Sequence, residues 1–389
     1  MPHRSLRERI PSDNPPPTAT GWMNPARSVA IIVVVAIHAI ADTVETRFTD
    51  YGTVAWWLAN GIDSASRWCV PVFLMIAGAL ALDPRRGVSP GEFWVKRVWR
   101  IGIPLVFWTV VYVLFRLYYM HGRETDWNPI AAIAAGSPFV QLYFLYALAG
   151  LTLLTPWMRL LVLHGSRRLQ WGTALILLGI GVVDLVLQRV FGVGELNAAT
   201  RFFPLMGYYL LGWVMRDWVL TRRQVAWAWC VFLATWLVSF LWAGAGDLLG
   251  VAKPWKYSYE YLSVFVVPLS LSAYLLLHFY MRDRALVDEA RAGSGRPPVR
   301  WWPGWRLMHR LYPYSFGVFL LHPLLLFPAR NLIGVPAAPG EVLLHGLVLP
   351  LVYTALCALV TWGALRVPVV KDVFGSGSPP AEMIERSRG

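Results

Sequence analysis

Charge is scarce in this chain. Only 15% of its 389 residues are charged while 57% are hydrophobic, which excludes an ordinary water-soluble enzyme, where roughly 25% of residues are charged. Acidic residues are the scarcer sign, 22 against 35 Lys and Arg. Cysteine is rarer still: Cys69, Cys230 and Cys357 all fall in apolar stretches at no metal-ligand spacing. Neither a disulfide framework nor a zinc site is expected from them, and they read as small packing residues. No GxxxxGK[ST] phosphate loop, HExxH, CxxC or GxSxG is present. Those absences argue against ATP-driven transport, zinc proteolysis and an attached serine hydrolase. Long polar insertions are missing too, the longest connection between apolar stretches being residues 282–310. No soluble domain is therefore expected between them.

Apolar runs near twenty residues long recur throughout, the mark of a helical membrane protein. Ten spans are expected, over 24–43, 54–82, 101–120, 139–163, 171–190, 202–219, 225–245, 259–281, 311–333 and 342–366. The fold class is thus all-α, a polytopic integral membrane protein. Positive charge chooses the orientation. With the N-terminus in the cytoplasm, the inward segments hold 26 Lys and Arg and the outward ones 7, so both termini are expected to be cytoplasmic and the protein multi-pass in the inner (plasma) membrane. Because the basic residues follow the loops, no nucleic-acid partner is expected. Tryptophans such as Trp56, Trp94, Trp157 and Trp218 fall near span ends, where interfacial anchors belong. The polar segment 1–22, with Pro15-Pro16-Pro17, lacks the apolar core of a cleaved signal peptide. It and residues 369–389 read as disordered cytoplasmic tails around a transmembrane domain over 23–368.

Against this apolar background a few polar residues stand out. His38 sits inside the run Val29–Ala41. A histidine in a membrane span needs a partner and is a functional candidate, and its imidazole suits proton transfer near neutral pH. Arg27 lies eleven residues upstream, which returns it to within about 20° of the same helix face and places it about 16 Å away along the axis. Asp42, one turn beyond His38, either orients the imidazole by accepting a hydrogen bond or caps the outer loop with Glu45 and Asp50. Arg67 falls deep in the outer half of the second span with Asp63 at i−4, as a structural ion pair or a functional one. Arg97 and Arg100, at i, i+3 beside Lys96, suit phosphate oxygens or lipid headgroups. His322 is a second intramembrane histidine, and Pro323 after it is expected to open the helix by freeing the Phe319 carbonyl. His278, His309 and His345 near span ends are expected to face headgroups. Glu260, near the outer end of the eighth span, is a candidate carboxylate for a substrate.

Four segments resemble one family, the membrane-bound acyltransferase family 3. They are Arg27 with ten residues before His38; Val70-Pro-Val-Phe-Leu-Met-Ile-Ala-Gly78, with Ala77 where the family has Ser; Arg97-Val-Trp-Arg100-Ile-Gly-Ile-Pro104; and Tyr314-Ser315-Phe-Gly317-Val-Phe-Leu-Leu-His322-Pro323. Tyr143 approximates an aromatic pair of the family's fourth span without its Trp. The resemblance covers about 340 residues, and the stand-alone form, without the additional SGNH hydrolase-like domain of some members, is expected. It implies O-acylation, with acetyl transfer the expected form: an acyl-CoA donor on the cytoplasmic side, and a hydroxyl of a cell-envelope glycan or small glycosylated molecule reached from the other. No metal is implied. On this reading Arg27, Arg97 and Arg100 hold the CoA phosphates. His38 is the general base or is transiently acylated, with Asp42 assisting and Arg67 or a backbone group of the second span at the oxyanion, while His322, Ser315 and Glu260 contact the acceptor. Two other classes compete: a polytopic transporter or glycan flippase using the intramembrane Arg and His residues as a path, and a membrane scaffold.

Overall fold

The computed structural model describes residues 20–45, 52–84, 89–120, 127–194, 196–245, 255–295, 299 and 303–387. Among them no strand occurs, and these described residues form eighteen α-helices: α1 (Met23–Glu45), α2 (Val54–Ser66), α3 (Cys69–Ala81), α4 (Pro90–Arg97), α5 (Ile103–Tyr119), α6 (Pro129–Ala134), α7 (Leu142–His164), α8 (Arg167–Phe191), α9 (Met206–Met215), α10 (Arg222–Gly244), α11 (Trp255–Ser258), α12 (Val266–Gly293), α13 (Pro303–Leu311), α14 (Ser315–Ile333), α15 (Pro339–Leu343), α16 (Leu349–Ala364), α17 (Val370–Val373) and α18 (Ala381–Arg386). Eight helical stretches among the described residues are long and apolar enough to cross a membrane. The other two expected spans fall on the shorter apolar stretch Phe203–Met215 and on α12.

Proline shapes several of these helices. An α-helical N–H bonds the carbonyl four residues back, and proline has no N–H to give. Pro104 leaves the Arg100 carbonyl without that bond, and the chain there widens into a π-turn over Val98–Gly102, with Ile103 N–H donating to Val98 O. Pro350 does the same for Gly346, with a π-turn over Leu344–Val348 closed by Leu349 N–H on Leu344 O. Such turns frequently mark functional sites.

The chain divides into two compact units, residues 1–76, 215–315 and 335–351 in the first and 77–214, 316–334 and 352–389 in the second. In the first unit, Val44 of α1, Trp56 and Ala59 of α2, Ala243 of α10, Tyr259 and Val342 form a buried apolar cluster. α1 and α2 meet at Ile40 and Ile62, with Gly346 between them; a β-carbon there would lie 2.8 Å from Ile62 Cδ1 and 3.3 Å from Ile40 Cγ2. Thus α1, α2 and the second π-turn converge at one level. In the second unit Gly78 allows α3 against the backbone of α9, where any β-carbon would sit 1.8 Å from Tyr209 O. That contact explains the glycine ending the second-span motif. The lipid-facing character of other helices is equally plain: 72% of the apolar window in Val54–Ala81 is buried but only 17% of that in α10.

Three expectations change. The second span is not one helix but two, broken at Arg67 and Trp68. Residues 369–387 are not a featureless tail. Trp108 Nε1 donates to Val373 O at 2.8 Å, Ser89 Oγ donates to Ser387 O at 3.3 Å, and Gly375 packs against Arg100 O and the Phe316 ring. At the other end residues 1–19 lie outside the described residues. Trp22, by contrast, is fully buried, its ring 5.2 Å from Tyr274 and 5.0 Å from His278.

Candidate functional site

α1 is unbroken from Met23 to Glu45, because Pro25 sits in its first turn, where no intrahelical N–H bond is lost. It therefore holds Arg27 and His38 at fixed separation on one axis, both half-buried amid buried neighbours such as Ile31, Val34, Val35 and Ile37. Asp42, also half-buried, follows one turn beyond His38. These three candidates lie together on one element of the first unit.

Arg67 and Asp63 stand where α2 ends. Arg67 is the C-cap residue of α2, and its Nη2 donates to Asp63 Oδ2 at 2.5 Å. Its guanidinium carbon lies 4.3 Å from the centre of the Tyr259 ring, a cation–π geometry that gains from the lack of water. The Tyr259 hydroxyl donates to Asn60 Oδ1, and Asn60 Nδ2 donates to Phe240 O at 3.0 Å. Buried Asp63 Oδ1 and Arg67 Nε have no hydrogen-bond partner among the described residues. Asp63 directly follows Ile62, and His38 precedes Ile40 by two residues, so this cluster starts at the level where α1 and α2 meet. Asn60 and Tyr259 were invisible in sequence as site residues: each is ordinary in its own segment, and 199 positions separate them. Glu260, half-buried, is the chain neighbour of Tyr259 in the turn before α12.

His345 and His278 do not face headgroups as expected. His345 is buried in the second π-turn, beside Gly346. His278 is fully buried, with Nδ1 3.1 Å from Trp218 O. Ser315 spends its hydroxyl on Tyr312 O at 2.7 Å, a local bond at the start of α14.

In the second unit α14 runs through Pro323 without a break, against expectation. His322 beside it is fully buried, its Nδ1 3.0 Å from Val318 O and also bonding Phe319 O. The ring supplies a donor to the carbonyl that Pro323 leaves unserved. The paired arginines also differ from each other. Arg97 closes α4 and lies half-buried with its guanidinium 5.0 Å from the centre of the Phe93 ring, whereas Arg100 is exposed within the π-turn. The same buried Phe93 ring carries a second guanidinium, that of Arg159 on α7, at 4.5 Å. Arg159 is buried, and its Nε donates to Ala81 O at 2.8 Å. In the sequence it counts only as one more inward-loop charge, because nothing local links it to Arg97. Lys96 is occupied by Glu92 at 2.6 Å.

No cluster of metal-ligating side chains occurs among the described residues. The comparison with known families is decisive at the level of class: the acyltransferase domain model of family 3 matches residues 20–366. No curated protein and no solved structure matches the chain. The match spans α1 with Arg27 and His38, the Arg97–Arg100 π-turn and the His322 helix, and with the apolar helices around them it shows that this chain belongs to the acyltransferase family 3 and is a multi-pass membrane acyltransferase.

Proposed function

We propose that the protein is an acyl-CoA-dependent O-acyltransferase, with acetyl as the expected group, acting on a hydroxyl of a cell-envelope glycan or a small glycosylated molecule. The observation that carries this reading is α1, which presents a cation and an imidazole eleven residues apart on one rigid, half-buried face. That separation suits a donor whose anionic head and thioester lie far apart. Arg27, Arg97 and Arg100 are the cations assigned to the CoA phosphates, since guanidinium forks match phosphate oxygens. The charge bias of the loops supports the cytoplasmic side for them.

In the proposed reaction His38 takes the proton of the acceptor hydroxyl while its oxygen attacks the thioester carbonyl. The C–O bond forms, the C–S bond breaks, and the CoA thiolate recovers the proton from the imidazolium. The oxyanion is assigned to Arg67, whose Nε is a donor not spent on Asp63. Asp42 is assigned to orienting His38. His322 and Ser315 are bound to backbone carbonyls of their own segment, which favours structural roles for both; Glu260 stays the acceptor-side carboxylate.

The test is detergent-purified protein with radiolabelled acetyl-CoA, with and without crude envelope glycan. Acceptor-dependent CoA release and label transfer are expected, and both are expected to disappear in His38→Ala. Release no higher than background, or full activity in His38→Ala, overturns the reading. Arg97→Ala and Arg100→Ala should raise the KM for acetyl-CoA more than the KM for acceptor.

A further inference from the structure

We propose that Arg306 and Arg310 on α13 form a binding site for the phosphate of an anionic phospholipid. α13 has two unlike faces. On its packed face Trp305 is buried, with Nε1 donating to Asp288 Oδ2 at 3.0 Å, and the half-buried His309 ring lies 4.7 Å from the Trp305 ring. Asp288 Oδ1 accepts from the Val299 N–H at 3.3 Å, and Ser28 Oγ of α1 donates to Met308 O at 2.6 Å. The helix is thus held from both α1 and α12. Its other face is Pro303, Arg306, Leu307 and Arg310, all exposed. Their i, i+3, i+4, i+7 spacing puts them on one stripe. Neither arginine is paired with a carboxylate among the described residues.

Guanidiniums one turn apart repel each other, and a phosphate received between them relieves the repulsion. Leu307 decides for a lipid over a free nucleotide, because it lies between the two arginines and is 63% exposed. Two cations around an apolar side chain match a phosphate that carries an acyl chain, the pattern of a helix lying at a membrane surface. The place of α13 in the chain agrees. It opens the stretch Pro303–Ile333, which is long and apolar enough to cross a membrane, and it belongs to the basic segment expected on the cytoplasmic side.

The experiment is titration of the full-length protein in detergent with tail-labelled phosphatidylglycerol, and separately with phosphatidylcholine bearing the same tail. Wild type should prefer phosphatidylglycerol. Arg306→Gln with Arg310→Gln should weaken phosphatidylglycerol binding about thirtyfold, about fivefold for each arginine, and leave phosphatidylcholine binding within about twofold. Leu307→Gln should weaken both lipids alike. The control, Arg222→Gln with Arg223→Gln, removes two exposed arginines at the start of α10 that are also expected in the cytoplasm; it should leave phosphatidylglycerol binding within about twofold. Arg306→Lys with Arg310→Lys keeps both charges, should bind within about fivefold of wild type, and serves if the glutamine variant does not fold. Unchanged phosphatidylglycerol binding in the α13 variants overturns the proposal. Equal losses in the α10 and α13 double variants also overturn it, since they reveal only the diffuse attraction of a basic surface. CoA should not displace the lipid probe from wild type; displacement would give these arginines to a nucleotide phosphate and overturn the lipid assignment.

Discussion

Arg67 and Asp63 form a buried ion pair at the break in the second span, 2.5 Å apart, with the carboxylate fully buried and the guanidinium side chain 11% exposed. Removing one member leaves the other uncompensated, which costs about 3–5 kcal/mol. Arg67→Ala and Asp63→Ala should therefore both lower the unfolding temperature sharply. The double variant Asp63→Asn with Arg67→Gln should recover most of that loss. If Arg67 also serves the oxyanion, the double variant will be stable and inactive; a stable and active double variant confines the pair to a structural role.

His322 gives a second prediction. Its ring serves carbonyls next to Pro323, so His322→Leu should destabilise the protein by about 1–3 kcal/mol, the cost of an unmet buried acceptor. Restoring the missing N–H with Pro323→Ala should make His322→Leu less harmful in the double variant than alone. Equal unfolding temperatures for His322→Leu and the double variant would refute the coupling.

Asp42 is tested by kinetics. If it orients His38, Asp42→Asn should lower kcat by about tenfold to a hundredfold, part of the range attributed to general-base catalysis, with the KM for both substrates little changed. A variant with normal kcat assigns Asp42 to the outer loop.

Glu289 supplies a pH dependence outside the membrane spans. Its carboxyl lies against Gly21, just before α1, and partial burial raises its pKa above the ordinary 4.5, while a hydrogen bond from the Gly21 backbone opposes the rise. A raised carboxyl binds its proton more tightly folded than unfolded, so protonation stabilises the fold below 4.5 and that contribution fades as pH rises through the folded value. Glu289→Gln keeps a neutral side chain at every pH. Its unfolding temperature should exceed that of wild type at pH 7.5, and the gap should close as the pH falls towards 4.5. A gap independent of pH would contradict the assignment.

The membrane class, the helix content and α1 could be read from the sequence because they rest on local signals: apolar length, loop charge and the spacing of Arg27 and His38. The break at Arg67 had a local signal in Pro71, which has no N–H for the Arg67 carbonyl, but the apolar run through Cys69 and Val70 masks it. Pro323 misled in the opposite direction. Its missing N–H was legible, but the compensating imidazole depends on a rotamer that the sequence does not specify. Asn60, Tyr259 and Arg159 escaped for a third reason, because their partners are brought to them only by the fold. The buried settings of His278 and His345 escaped likewise, as position near a span end says nothing of what packs around it.

Residues 370–387, folded back on the first π-turn and α4, set an order of assembly. They leave the ribosome long after Arg100, by on the order of 10–60 s at usual synthesis rates. Until then the Arg100 carbonyl lacks Gly375, and Trp108 lacks its bond to Val373. The backbone around Arg97 and Arg100 therefore reaches its finished form only late in biogenesis, after the spans before it have already been made, and a ribosome stalled short of residue 370 would display a helical bundle whose arginine turn is still open on one side.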